Sequence, residues 1–250
     1  MIISSLAFIF VFSIIVLVHE LGHFFAARTS GVKVYEFSIG FPFSPRLCTL
    51  FGSKETEFTL RLLPLGGFVR FSKEGDEGAR DLFEASPFRR AFIMAAGSFF
   101  NIAFAFIIFI PIFLIGRDMS FIDSASLSAK VLWGIISGTV MFFVDLFSGH
   151  GGMDLLSGPV GIAKMAGQAA GAGILSVLYF TGVLSASLGI MNLFPLPALD
   201  GGQLLVLGIE AIIKRPIGLK THQALNLIGF ALFLIITAVV TYKDIIKLIV

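Results

Sequence analysis

The spacing that carries chemistry lies in VLVHELGHFF, residues 16 to 25. On a helix, His19 and His23 are four apart and share one face, and Glu20 lies beside them. Two imidazoles so placed can hold Zn²⁺, and the glutamate can take a proton from water whose pKa the metal lowers towards about 7. The HExxH pattern also arises by chance on solvated, salt-bridging helices. Here it ends a segment, Ile2 to Val18, that carries no charge. Ionisable groups at membrane depth are costly and mark function. Two imidazoles and a water leave one protein ligand to find. The candidate is Asp200, in NLFPLPALDGGQ (192 to 203), where Pro195 and Pro197 break a helix and Gly201-Gly202 allow close backbone approach. For that fragment alone, a helix end with a polar exit loop is an equally good reading.

The elements that must position these residues are membrane helices. Of the 250 residues, 56% are hydrophobic and 14% charged, and mean hydropathy is +0.96, beyond an ordinary soluble domain. Several apolar runs approach the roughly 20 residues that cross a bilayer. The fold class expected is a polytopic α-helical membrane protein with about four transmembrane helices. A small membrane-associated β section separates the first two. The sequence divides into a first span (1–27), a β section (28–86), a second span (87–116), a connection with an interfacial helix (117–173), a third span (174–200), a loop (201–224) and a fourth span with the tail (225–250). The N-terminal run lacks a basic leader region and a small-residue cleavage site, so it reads as a retained span.

In the β section VYEFSIGF, TEFTLRLL and GGFVRF show strand patterning between Pro and Gly breakers, which predicts a small antiparallel sheet with Phe58, Leu60 and Leu62 on one apolar face. Ser86-Pro87 reads as an N-cap followed by a first-turn proline. Residues 131–147 are apolar but interrupted, and fit a helix lying in the interface or dipping into the bilayer. Ten Lys and Arg residues lie between 28 and 90. With four spans, that excess predicts a cytoplasmic β section and both termini outside.

The net charge of +2 gives no reason to expect nucleic acid. One cysteine, Cys48, excludes an internal disulfide and a cysteine zinc cluster, and reads as a small apolar filler. His150 and His222 lie in connecting segments without a partner at metal spacing. The 29 phenylalanines read as lipid-facing and core packing, and GIISG (134–138) fits a small-xxx-small helix contact.

HELGH, GSFFN (97–101), SGPVG (157–161) and NLFPLPALDGG, in this order, resemble the site-2 protease family of intramembrane zinc metalloproteases, nearest the bacterial regulator of sigma-E protease. The similarity runs from the first span to about Lys214. It implies hydrolysis of peptide bonds within or near the transmembrane helices of substrate proteins. Zn²⁺ would be held by His19, His23 and Asp200, with Glu20 as general base. Asn101 matches an asparagine implicated in substrate handling near the metal; an interhelical hydrogen bond is its alternative. Asn192 also matches, without a derivable role. The strand section resembles the family's re-entrant β-hairpin. The resemblance further implies a bacterial inner membrane, an active site towards the cytoplasm, the lipid bilayer as surroundings, and neither nucleic acid nor a small molecule as substrate. One feature departs: relatives carry PDZ domains between the second and third spans, and Arg117 to about Leu127 is too short for a domain.

The rival reading is a metal or ion transporter with an intramembrane His/Glu/Asp site. It leaves the HExxH spacing and the strand section unexplained. A non-catalytic chaperone docking clients on the sheet leaves Glu20 without a role.

Overall fold

The computed structural model describes residues 2–42, 44–52, 55–63, 66–72, 80–149 and 156–249; His150 lies outside them. The elements are α1 (Ile2–Thr29), β1 (Glu36–Ile39), β2 (Arg46–Gly52), β3 (Glu57–Arg61), β4 (Gly67–Arg70), α2 (Arg80–Phe83), α3 (Pro87–Gly116), α4 (Phe121–Phe147), α5 (Pro159–Gly171), α6 (Ile174–Leu193), α7 (Asp200–Ile213) and α8 (Leu219–Ile249). The polytopic helical class with a small sheet is as expected. Among the described residues five helices, rather than about four, are long and apolar enough to cross a membrane.

The extra candidate is α4. Its first turns, FIDSASLSAK, look like a polar connection, yet they are helical. Ser120 caps the helix by accepting the Asp123 N–H at 3.2 Å. Ser124 and Ser128 are fully buried, and the Ser128 hydroxyl donates back to the Ser124 carbonyl at 2.7 Å. Serine hides its polarity in the turn below it, so composition understates how apolar this face is. The four residues 117–120 are all that separate α3 from α4.

The chain divides into two compact units. The first comprises Phe12–Asn101 and Asn192–Asn226. In it α1 and α3 cross closely, because Gly22 leaves no room for more: a Cβ there would lie 2.5 Å from the Ala96 carbonyl oxygen and 2.8 Å from the Gly97 Cα. Small residues let membrane helices approach in this way. Ala26, Ala27, Ile93 and Ala96 form the core beside that crossing, with Val32, Val34 and Leu82. Gly31, at φ 73°, ends α1 in the left-handed conformation, and the Val32 N–H returns to the Ala27 carbonyl at 2.9 Å. The chain thereby turns straight into the sheet.

The sheet has the order β2-β3-β1-β4. β1 pairs parallel with β3, and the other two pairings are antiparallel. It is therefore mixed, not antiparallel: the chain leaves β1, forms the β2–β3 hairpin, and β3 returns alongside β1. β2 is the strand without sequence warning, since RLCTLFG does not alternate. It is exposed throughout, so Cys48 is exposed and is no core filler. The apolar-face expectation for β3 also fails in part. Phe58 packs with Phe37 and Phe24, ring centres 5.5–5.7 Å apart, but Leu62 is exposed and Thr59 is fully buried. Thr59 donates to Glu36 at 2.7 Å, and Arg61 and Arg70 both reach Glu36 at 3.1 Å. Burial pushes the Glu36 carboxyl up, but the Thr59 hydroxyl and the two guanidinium groups bring it below its ordinary range. The buried carboxylate is paired, as it must be.

The second unit comprises Met1–Val11, Ile102–Met191 and Leu227–Val250. Phe109, Ile112, Phe113 and Ala105 of α3 pack on Ala186 of α6 and on Leu127, Val131 and Ile135 of α4. The SGPVG stretch starts α5, with Gly158 as N-cap and Pro159 as its first residue. Asp244, near the end of α8, accepts the Gly161 N–H at 2.8 Å. A Cβ on Gly158 or Gly161 would lie 2.9–3.0 Å from that carboxylate. The motif is a helix start capped from another helix.

Candidate metal centre

The site lies within the first unit. Helical spacing on α1 brings His19 and His23 edge to face, with ring centres 4.7 Å apart. Both are 8% exposed. The His23 Nδ1–H donates to the Ile93 carbonyl of α3 at 2.8 Å. That bond places the proton on Nδ1 and leaves the Nε2 lone pair facing inward. Nε2 of His23 is 3.2 Å from Nε2 of His19. Asp200 Oδ2 stands 3.1 Å from His19 Nε2 and 3.4 Å from His23 Nε2.

Three lone-pair atoms thus converge from two imidazoles and a carboxylate. They form a group able to hold a metal, with all ligand atoms within 4.8 Å of one another. Ligands at 2.0–2.1 Å from a tetrahedral ion are about 3.3–3.4 Å apart, and the three separations fall at that value or slightly below. Asp200 Oδ2 is buried and makes no geometrically sound hydrogen bond. A cation of zinc's size and preference for nitrogen and oxygen ligands fits the donor set.

Asp200 arrives by a different route from the histidines. Past α6, Leu196 N–H donates to the Phe194 carbonyl at 2.7 Å and Leu199 N–H to the Leu196 carbonyl at 3.2 Å. Ala198 takes φ 71°. This tight turn, imposed by Pro195 and Pro197, puts Asp200 at the first position of α7. A Cβ on Gly201 or Gly202 would collide with the backbone of Leu193, Phe194 or Leu196. The two glycines after the aspartate are what let α7 start there.

The remaining walls come from α3 and β4. A Cβ on Gly97 would lie 2.5 Å from His23 Nε2 and 2.8 Å from His19 Cε1. The space between the two imidazoles exists because residue 97 has no side chain. Glu20 meets the sheet: a Cβ on Gly67 would lie 3.2 Å from its Cγ, and the Val69 N–H donates to its carboxylate. Gly40 N–H bonds the Gly66 carbonyl. In that antiparallel register the Phe37–Val69 pair turns its polar groups away from each other. The N–H and C=O of Val69 therefore point off the outer edge of β4, on the side of Glu20.

A cavity of about 300 Å³ joins His19, Glu20, His23 and Asp200 to Phe68, Val69, Phe71, Met94, Asn192 and Leu199. The expected residues His19, Glu20, His23 and Asp200 are thus brought together. Asn101 is fully buried on α3, one turn beyond Gly97, and is not among the residues lining that cavity. Asn192 is. The aromatic and apolar residues of β4 and α3 are site residues that sequence patterning does not single out. A cavity of about 430 Å³ in the second unit is lined by Phe113, Arg117, Leu127 and Tyr179, among others, and contains none of the metal-holding group.

The family model for peptidase family M50 matches residues 7–236. A relative in Clostridium perfringens that bears a zinc metalloprotease name is 30% identical over an alignment covering 94% of this chain and 96% of the relative. One in Rhizobium meliloti, similarly named, is 27% identical over 95% of each chain. Zinc metalloprotease RasP of Geobacillus kaustophilus is 46% identical over 103 residues, 41% of this chain and 24% of that protein. The chain belongs to peptidase family M50, the site-2 proteases. It is an intramembrane zinc metalloprotease.

The geometry makes Gly97 decisive for the metal. Gly97→Ala should cut the zinc content of purified protein severalfold, because the added methyl forces the imidazoles apart. Full zinc occupancy in a folded Gly97→Ala protein would show that the imidazoles are not held where they stand.

Proposed function

We propose that His19, His23 and Asp200 hold the zinc, that Glu20 is the general base, and that the substrate is a transmembrane segment of another protein, unwound and laid along β4. The convergence of three lone pairs beside Glu20 carries this reading. Bound zinc supplies Lewis acidity, polarising a carbonyl and acidifying water at neutral pH. Glu20 accepts a proton from the attacking water as the new C–O bond forms. It returns that proton to the amide nitrogen as the C–N bond breaks, so acid and amine products balance. His23 keeps its Nε2 lone pair inward through Ile93, and Gly97 keeps the two imidazoles together. Asn192, on the cavity wall, takes the substrate-holding part expected of Asn101, which is fully buried on α3.

A membrane helix bonds its own backbone, so it must unwind before a scissile carbonyl can enter. An edge strand can then satisfy the freed N–H and C=O groups. The outer edge of β4 is suited to this, because the polar groups of Val69 already face the cavity side. Affinity then comes from main-chain bonds, and selection from how easily a segment unwinds.

The positive charge of residues 28–90 supports a cytoplasmic sheet. Four crossings then put both termini on the opposite side, and packing within the second unit supports their sharing one side. There Gly116, at the end of α3, meets Leu175, at the start of α6. α5 meets Ser4 through Gly167 and Asp244 through Gly158 and Gly161. The start of α1, the end of α3, the start of α6 and the end of α8 thus share one end. α4 starts at that end and, with 27 residues, is about 40 Å long. Were it to cross, only the eleven residues 148–158 would separate its far end from α5, and eleven residues are too few to recross about 30 Å of hydrocarbon as a helix. We therefore take α4 as a steeply tilted or in-plane helix, and the crossing helices as four: α1, α3, α6 and α8.

Glu20→Gln preserves shape but cannot accept the proton. It should reduce cleavage of a single-span reporter by roughly 10²–10⁴-fold with zinc retained. Val69→Pro removes the edge N–H and should also impair cleavage with zinc retained. Native rates in Glu20→Gln would end the general-base assignment, and native rates in Val69→Pro would end that of the β4 edge. Topology is tested with Cys48 replaced by serine: cysteines at Ser120 and Ser148 should label from one side and a cysteine at Arg215 from the other. Labelling of Ser148 together with Arg215 would mean that α4 crosses.

A further inference from the structure

A second buried ionisable cluster lies in the first unit, apart from the residues that line the cavity. Arg90 Nη1, in the first turn of α3, donates to Glu210 Oε2 of α7 at 2.9 Å. The Ile217 N–H donates to Glu210 Oε1 at 2.9 Å, and His222 Nε2, in the first turn of α8, lies 3.4 Å from the same oxygen. Arg90 is 8%, Glu210 8% and His222 3% exposed. Phe83 closes the cluster, 5.0 Å under the Arg90 guanidinium and 5.1 Å from the His222 ring. Burial pushes the Glu210 carboxyl up, yet the Ile217 N–H, His222 and Arg90 bring it below its ordinary range. It is charged at neutral pH. His222, which the sequence places in a connecting segment, is buried and partnered.

The elements joined here are those that build the metal centre. Arg90, Ile93, Gly97 and Asn101 follow one another at helical spacing along one face of α3. On that face Ile93 receives the His23 proton and Gly97 abuts both imidazoles. Glu210 lies ten residues, about 15 Å, along the helix that Asp200 begins. Apart from Glu210, α7 is held by a Gln203 amide that donates to Asn226 Oδ1 at 2.7 Å and by a narrow apolar face on which Leu204 and Val206 are half-buried. Its buried residues are Gly201, Gly202, Leu207 and Glu210, whereas Leu205, Ile209, Ile212 and Ile213 are exposed. One buried leucine and two half-buried apolar residues are a thin core for a helix that must hold a carboxylate at a fixed place. A buried ion pair adds little net stability over an apolar pair of the same shape, and its best-attested use is to fix register.

We propose that Glu210 and Arg90 are positioning residues for the zinc site, a clamp at the far end of α7 that fixes where Asp200 stands relative to His19 and His23. The proposal rests on the reading of Asp200 as the third ligand.

The test uses full-length protein in detergent, loaded with zinc or with cobalt(II) as a spectroscopic reporter. Arg90→Met/Glu210→Gln removes both charges and leaves an acceptor for the Ile217 N–H, so no orphan charge is buried. Its zinc affinity should fall about 10-fold or more, the scale of lost outer-shell support, and its cobalt visible spectrum should change while its unfolding transition persists. Arg90→Lys, which keeps the charge, should recover most of the affinity and the native spectrum. Native affinity and spectrum in the double variant would overturn the clamp, as would Arg90→Lys behaving like the double variant. If that double variant does not fold, Arg90→Gln/Glu210→Gln, which also leaves no orphan charge, carries the same two outcomes. Asp200→Ala, measured in parallel, separates the two claims. Native metal binding there defeats the ligand assignment; loss there, with native binding in the double variant, defeats the clamp alone.

Discussion

Three lone pairs directed at one another between apolar helices repel until something positive sits among them. The distances of 3.1, 3.2 and 3.4 Å between His19, His23 and Asp200 place that demand within the first unit. Other local features follow from it. Gly22 lets α3 approach, Gly97 leaves the space, Ile93 fixes a tautomer, and the Pro195–Gly202 turn starts a helix with a carboxylate. Each is a backbone arrangement around a site that side-chain packing alone would not tolerate.

The same constraint explains why a sheet accompanies the helices. A peptide bond in a membrane helix is already satisfied, and a metal site beside it would find nothing to cleave. On the reading proposed above, β4 offers polar groups where an unwound chain needs them, and Val69 lends its N–H to Glu20. Behind the strand, Glu36 holds Arg61 and Arg70, and both guanidinium groups stack on Phe68 at 4.9 and 5.5 Å. A residue of the cavity wall is thereby tied to the interior of the sheet.

Much of the site could be read from residue types because chemistry restricts them. HELGH has one geometry on a helix, whereas the fragment around Asp200 fits a polar exit loop equally well, and only the turn at Ala198 in the folded chain brings its carboxylate to the histidines. What escaped reading depended on partners distant in sequence. α7 looked like a loop because its buried face is two glycines, a leucine and a glutamate whose partner, Arg90, is 120 residues away. α4 looked broken because Ser128 and Ser137 return their hydroxyls to its own backbone. β1 and β3 looked antiparallel because nothing in RLCTLFG announces the strand between them. The cap on the SGPVG helix start comes from Asp244, 83 residues on, and no local pattern announces it.

X-ray absorption at the zinc edge of the purified, zinc-loaded Glu20→Gln protein tests the central claim most directly. The expected first shell contains two imidazole nitrogens and carboxylate or water oxygens at about 2.0–2.2 Å, with the outer-shell scattering characteristic of imidazole. Replacing Asp200 by alanine should change the oxygen part and leave the two imidazoles. A shell with one imidazole or none, or one indifferent to Asp200, would contradict the account.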